Sequence, residues 1–234
     1  MDPVQDFLNE FTYSQTINIL KDVPDVDKRE FVSKLQVGDL ITSQLYGPYI
    51  SSSIRKKIGL SLFSALVHNI QRSPYTSLKM YIGNGKIAGS GAIPGDRSVK
   101  INKINTWIQV QERACALRPI DIPKQQINSA VKNLISSVGT NYNSNKLITS
   151  FVNRTKNKIS HFLRMKKYEL NEKDQEEAAE LLSTPNICSV FVAASCIKAG
   201  YKLNLNVSSV GEIWPIDFVI SPSTEKVMKF GGLP

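Results

Sequence analysis

Cysteine and histidine are the residues of this chain best suited to nucleophilic and acid–base chemistry, and there are few of them. The sequence contains three cysteines, Cys115, Cys188 and Cys196, and two histidines, His68 and His161. The cysteine spacing fits no metal-ligand pattern, and an odd number of cysteines without a secretory leader does not predict a disulfide framework. We therefore expect no metal and no cofactor, and any chemistry is expected to use a thiol.

Cys188 is the cysteine whose position favours a nucleophile. The pattern predicts a helix over 187–199 with Asn186 as its N-cap, so Cys188 falls in the first turn. There the unpaired backbone amides and the positive end of the helix dipole stabilise a thiolate. The plainer alternative is a small buried residue, which is our interpretation of Cys115 and Cys196.

The rest of the pattern predicts the elements that would position this residue. Strands are expected at 37–41, 77–82, around Ile87, at 107–118 and at 218–220, with an Asn-Gly hairpin turn at 83–86. Further helices are expected over 2–21, 59–71, 122–138 and 172–182. Strands come first and the cysteine helix last, which predicts an α+β fold with a small antiparallel sheet packed against the Cys188 helix and the 122–138 helix.

Residues 1–34 are interpreted as an N-terminal helical extension of a main domain over 35–234. Phe7, Phe11 and Leu20 fall on the apolar stripe of the expected first helix. An apolar stripe of this size predicts docking, either on the domain itself or on a partner chain. Other protein chains of an assembly are therefore the expected partners.

The composition is that of an ordinary globular protein with an excess of positive charge. Hydrophobic residues make up 41% and charged residues 21%, which argues against wholesale disorder. The net charge of +9 predicts attraction to an anionic polymer such as cell wall or nucleic acid. The densest basic groups, 55–57 and 164–167, lack the interleaved aromatic residues of a nucleic-acid platform. The sequence shows no signal peptide and no membrane span, which predicts synthesis in the cytoplasm.

Five segments in order resemble the circularly permuted branch of the NlpC-type papain-like cysteine hydrolases, which has YiiX-like, poxvirus and phage members. The segments are the Gly-Asp strand start at 37–41, the strand and hairpin at 73–86, Gly139-Thr140-Asn141-Tyr142, the cysteine helix at 188–200 and the closing segment at 214–222. The resemblance covers about residues 35–230. It implies a papain-like fold in which Cys188 holds the nucleophile position and Tyr142 lines the site.

The resemblance also implies a catalytic histidine and a residue that orients it, and the sequence departs from the family at both positions. Ser77 occupies the position of the general base, and a serine hydroxyl is not basic near neutral pH. Gly89, or its neighbour, occupies the position of the orienting residue. His68 and His161 match no motif that would make them substitutes, and Asp39 belongs to the strand start.

Two functions follow from the resemblance and its departures. The first is a degenerate cysteine hydrolase-like domain that serves as a structural or binding component, with incorporation into a phage or viral particle as a natural setting. The alternative is an active peptidase, amidase or acyl-ester hydrolase that uses Cys188 with an unrecognised base. Whether the chain is an enzyme stays open at this point. A third interpretation, a nucleic-acid binder attracted by the +9 charge, lacks the aromatic platform.

Overall fold

The fold is that of a computed structural model, which describes residues 16–45, 75, 77–90, 98–143, 172–205 and 209–232. Within these ranges, six strands form one antiparallel sheet: β1 (Leu40–Leu45), β2 (Ser77–Gly83), β3 (Lys86–Ser90), β4 (Val99–Lys103), β5 (Gln111–Pro119) and β6 (Thr224–Phe230). Their order across the sheet is β4-β3-β2-β1-β5-β6. The α+β class expected from the sequence is confirmed.

One helix lies at the centre of the described structure. Besides the helical residues 16–20, the described helices are α1 (Lys28–Ser33), α2 (Ile104–Trp107), α3 (Lys124–Ser136), α4 (Glu172–Ser183), α5 (Cys188–Lys198) and α6 (Pro215–Ile220). Every residue of α5 from Cys188 to Ile197 is buried, and the helix packs against β2, β3, α3 and α4. None of the described helices is long and apolar enough to cross a membrane.

Apolar side chains cover the sheet on both faces. Leu78 and Met80 pack with Phe191 of α5 on one face, whereas Ile41 and Ile87 pack with other partners on the opposite face. Successive side chains of a strand point to opposite faces, so β1 and β2 are buried on both. The helix α5 therefore rests against a sheet whose central strands have no solvent-facing side.

The β2–β3 hairpin matches its sequence signal. Asn84 and Gly85 connect the strands with φ values of 51° and 65°. Both values are positive, as a type I′ turn requires, and Asn-Gly is the pair that adopts such a turn at least cost. The hairpin sets the register of β2 against β3, which matters for the site.

Two strand assignments made from the sequence differ from the structure, one in part and one entirely. The strand expected over 107–118 begins only at Gln111, because α2 and a 3₁₀ turn over 108–110 precede it. The segment 218–220 belongs to α6 and not to a strand. Phe218 and Val219 are both fully buried, and a short apolar run buried on all sides has the same appearance in a helix and in a strand. The sequence also gave no indication of β4 or β6.

The described part of the N-terminal segment packs on the sheet. Residues 16–20 are helical, and Leu20 is fully buried in the same apolar cluster as α5. The Phe31 ring meets the Phe230 ring edge to face at 5.1 Å between centroids. Phe7, Phe11 and the helix expected over 59–71 lie outside the described residues.

Candidate functional site

Cys188 is the first residue of α5, in the first turn as the sequence predicts, but its helix is capped differently. The N-cap is Ile187, which provides no side-chain hydrogen bond. The expected cap, Asn186, is wrong: its amide nitrogen donates to the Leu181 carbonyl at 3.1 Å and to the Thr184 hydroxyl at 3.2 Å. Asn186 thus closes the end of α4, and the amides at the start of α5 receive no side-chain cap.

The Cys188 thiol is buried against β2 and is only 8% exposed. Burial raises the pKa of this thiol, because a thiolate loses its hydration there. Three smaller effects lower the same pKa: a hydrogen bond from the Leu78 backbone N–H, the positive charge of Lys79, and the amides of Ser189 and of Cys188 itself. Burial outweighs them, so the thiol is neutral at pH 7.

The ladder between β2 and β3 stops where the thiol meets the sheet. Met80 pairs with Ala88, and continuing this register would pair Leu78 with Ser90, but that pair does not form within the described strands. The Leu78 N–H is directed to the thiol instead. The Ser90 carbonyl accepts a hydrogen bond from Lys79 Nζ at 2.9 Å. The Leu78 N–H and the Ser90 carbonyl, which would bond to each other in a regular ladder, therefore bond instead to the Cys188 thiol and to the Lys79 ammonium group.

Lys79 belongs to the candidate site, although the sequence pattern did not single it out. It is 1% exposed, and its Nζ lies 3.4 Å from the Gly89 carbonyl in addition to its bond to Ser90. A signal was present, since Lys79 interrupts the apolar run between Leu78 and Met80. A lysine in a strand buried on both faces has to bring its charge to polar partners.

Gly89 makes room for this lysine. Its φ is +152°, and a Cβ at this position would lie 3.2 Å from both Lys79 Cγ and the Leu78 carbonyl oxygen. The position expected to hold an orienting side chain thus presents only backbone, and its carbonyl faces the Lys79 ammonium group.

Ser77 begins β2 opposite Ser43 of β1. The hydroxyl groups of Ser77, Ser43 and Ser90 are buried and have no hydrogen-bond partner among the described residues. Each such hydroxyl costs about 1–3 kcal/mol relative to a satisfied one. Alternation along β2 places the Ser77 side chain on the same face as Lys79, opposite the face on which Leu78 packs with Phe191 of α5.

Tyr142 lies beside the start of α5. It forms a parallel bridge with Asn186, and the neighbouring Asn143 N–H donates to the Asn186 carbonyl at 3.2 Å. Burial, and secondarily the charge of Cys188, raise the pKa of the half-buried Tyr142. The structure therefore brings Tyr142 within electrostatic reach of the thiol.

The other candidate residues are not part of this arrangement. Cys115 and Cys196 are fully buried, and burial raises the pKa of each to about 12. Asp39 receives two hydrogen bonds of 2.9 Å from Arg118, which join β1 to β5. Hydrogen bonding to Asp39 raises the pKa of Arg118 in turn. His68 and His161 lie outside the described residues.

A cleft of about 540 Å³ opens at a different place, around the start of β1 and the end of β5. The ion pair of Asp39 with Arg118 forms its polar wall, and Val37, Ile122 and Ile127 contribute apolar walls. No cysteine, serine or histidine of the described ranges lines it, so these residues supply no nucleophile there. Within the described ranges, no three metal-ligating side chains converge.

Comparisons of the sequence with protein-family models and with curated proteins find no match. The function therefore has to be inferred from the geometry around Cys188.

Proposed function

We propose that this chain is a degenerate cysteine hydrolase-like domain of permuted papain-like architecture. In this proposal it serves as a structural or binding component of an assembly, with a phage or viral particle as its setting. The observation that carries the proposal is the state of Cys188. The start of a helix favours a thiolate, but Cys188 is only 8% exposed and burial raises the pKa of its thiol.

The size of the effect can be compared with what catalysis needs. A thiol with an ordinary pKa near 8.5 is about 3% ionised at pH 7, and a raised pKa lowers that fraction further. A thiolate–imidazolium pair keeps the sulfur almost fully ionised, which is at least about a thirtyfold difference in nucleophile concentration. Burial of Cys188 therefore works against the chemistry that its helix position would favour.

The surroundings of the thiol support the same conclusion. Leu78 N–H and the Lys79 ammonium group are hydrogen-bond donors, and neither can accept a proton from the thiol. Ser77, in the position that the resemblance gives to the general base, carries a hydroxyl that is not basic near neutral pH. Between β2 and β3, the Lys79 side chain donates hydrogen bonds to the carbonyls of Gly89 and Ser90.

An active cysteine hydrolase is the second candidate, and one observation favours it. The Leu78 N–H, the Lys79 charge and the first amides of α5 all lower the pKa of Cys188. If a base came from residues outside the described ranges, these groups would stabilise the thiolate that it produced.

Alkylation of Cys188 by iodoacetamide between pH 5 and 10, followed by peptide mass spectrometry of the full-length chain, separates the two candidates. For the degenerate domain, labelling of Cys188 should be slower than in the urea-unfolded chain at every pH. It should also still be rising at pH 9, without a plateau at lower pH. The raised pKa is the reason for both features. A reactive plateau at pH 5–6 in the unaltered chain would contradict the proposal and identify an active thiolate.

A pair of variants tests the position of the base. The resemblance gives Ser77 the base position, and on that basis Ser77→His should add reactivity of Cys188 at pH 5–6, because an imidazolium that reaches the thiol stabilises the thiolate. Ser77→Asn is the matched control, since asparagine is of similar size and carries no titratable group. Equal labelling of the two variants would show that Ser77 does not face the thiol. Far-ultraviolet circular dichroism of both variants checks that the larger side chain is accommodated.

A further inference from the structure

β4 (Val99–Lys103) is an edge strand, and the alternation of its hydrogen bonds decides which of its backbone groups face outward. Immediately after the strand, the Ile104 N–H donates to the Gly85 carbonyl at 2.9 Å. In an antiparallel ladder every second residue bonds to the same neighbour, so the bonds to β3 continue at positions 102 and 100. Val99, Ile101 and Lys103 therefore direct their backbone groups away from β3.

Within the described residues, only Val99 among these three has a backbone hydrogen-bond partner for its outward groups. The Val99 N–H donates to the Thr140 carbonyl, and the Val99 carbonyl accepts from the Gly139 N–H, both at 2.9 Å. The outward N–H and C=O of Ile101 and the N–H of Lys103 have no such backbone partner in the described ranges. The Ile101 side chain is 41% exposed. Among the described residues, two donors, one acceptor and an apolar side chain at this edge thus have no covering partner.

Two lysines lie together on the same face as Ile101. Lys86 and Lys103 are direct cross-strand partners in a non-hydrogen-bonded pair, which brings their Cα atoms to about 4.5 Å. Both side chains are exposed, and neither forms an ion pair within the described structure. Like charges directly opposite each other destabilise a sheet. The described residues of 77–110 carry four lysines and no carboxylate that would offset this repulsion.

We propose that the open edge of β4 binds an extended acidic segment of a partner protein, which adds a strand outside β4. The segment pairs its backbone with Ile101 and Lys103, and its carboxylates lie beside Lys103 and Lys86. Side chains of an added strand alternate between faces, so the segment carries an apolar and an acidic residue two positions apart. This inference concerns a different surface from the Cys188 site and does not depend on the state of the thiol.

The backbone groups favour a polypeptide over a nucleic acid as the occupant. Net positive charge attracts either partner. A phosphate could accept from the outward N–H groups, but the Ile101 carbonyl would then face no donor, whereas a strand supplies both donor and acceptor. β3 and β4 carry no aromatic side chain on which bases could stack.

Fluorescence anisotropy of a labelled octapeptide of sequence Glu-Thr-Val-Thr-Glu-Thr-Val-Thr, which has Glu and Val two positions apart, tests the proposal when it is titrated with the full-length chain. The double variant Lys86→Glu/Lys103→Glu is expected to bind about tenfold more weakly, because two attractions become repulsions. Ile101→Pro removes the outward N–H and keeps the ladder to β3, and should weaken binding about fivefold. Lys124→Glu/Lys132→Glu makes the same charge change on exposed positions of α3 and should stay within about twofold of the unaltered chain.

Amide hydrogen exchange provides a readout that needs no variant. Binding of the octapeptide to the unaltered chain should slow exchange at Ile101 and Lys103, since both N–H groups become hydrogen-bonded. The proposal is overturned if exchange there is unchanged at saturation. It is also overturned if Ile101→Pro binds normally while charge reversal abolishes binding, or if an oligothymidylate binds as tightly as the octapeptide. Absence of octapeptide binding would leave the lysines with the role of keeping the edge from pairing, and would equally refute it.

Discussion

Raising the pH from 8 to 10 is expected to destabilise this fold through its buried cysteines. Burial raises the pKa of Cys115 and of Cys196 from the ordinary 9.0 to about 12 in the folded state. The unfolded chain keeps the ordinary value, so between these two pKa values it releases protons that the folded state holds. The stability from each neutral thiol is complete below the unfolded pKa and is lost as the pH rises toward the folded pKa.

The magnitude follows from the two pKa values. At pH 10, one unit above the unfolded pKa, each thiol lowers the free energy of unfolding by about 1.4 kcal/mol. Cys115 and Cys196 together account for roughly 3 kcal/mol, a large part of a typical stability of about 5–15 kcal/mol. Cys188 acts in the same direction, opposed by the Leu78 N–H and the Lys79 charge that stabilise its thiolate.

The contribution of one thiol can be isolated by comparing the unaltered chain with Cys196→Ala. Both proteins are unfolded in urea under reducing conditions at pH 8 and at pH 10. Alanine loses the same packing at both pH values, so the stability difference between the two proteins should shrink by about 1.4 kcal/mol at pH 10. A constant difference would refute the reasoning, because Cys196 would then titrate alike in both states. The same subtraction with Cys188→Ala should also show a decrease. A constant difference there would count against the neutral thiol on which the proposed function rests.

Two further predictions concern residues that hold the fold together. Gly38→Ala should lower the free energy of unfolding by more than about 2 kcal/mol, because φ is +93° and a Cβ would lie 2.6 Å from a methyl group of α3. Gly85→Ala, where φ is +65° and nothing lies within 4 Å, should cost only about 1 kcal/mol in the same denaturation assay, and equal costs would contradict the steric argument. Asp39→Asn should cost about 1–3 kcal/mol by removing the charge that two 2.9 Å hydrogen bonds from Arg118 satisfy. The exposed carboxylate of Glu30 serves as its comparison, and Glu30→Gln should change stability by less than about 0.5 kcal/mol.

Local sequence patterns were sufficient where the signal lies within a few residues. The Asn84-Gly85 turn was predictable because only a few residue types adopt two successive positive φ values. The helix that begins at Cys188 was predictable because a long apolar run between Pro185 and Gly200 is too long for a typical strand. The sequence alone also named Cys188 and Tyr142 as candidates, and the structure brings Tyr142 within electrostatic reach of the thiol.

Other features depended on how distant segments pack, and no local pattern carried them. Asn186 appeared to be a helix cap, but the end of α4 lies close enough to take its hydrogen bonds. The segment 218–220 is a helix because Asp217 accepts a hydrogen bond from the Trp214 N–H at 2.7 Å and starts α6, while β6 pairs with β5 about a hundred residues earlier in the chain. Such choices depend on neighbours that are adjacent only after folding.

The protonation state of Cys188 was also decided by the tertiary structure. The sequence placed the residue at a helix N-terminus, where the dipole favours a thiolate. Only the packing of α5 against β2 reveals that burial raises the pKa of the thiol and that the charge of Lys79 acts on it. The position of a residue in a helix is set by consecutive residues, whereas its desolvation depends on how the sheet and helices assemble. For Cys188, desolvation raises the pKa more than the amides at the start of the helix lower it.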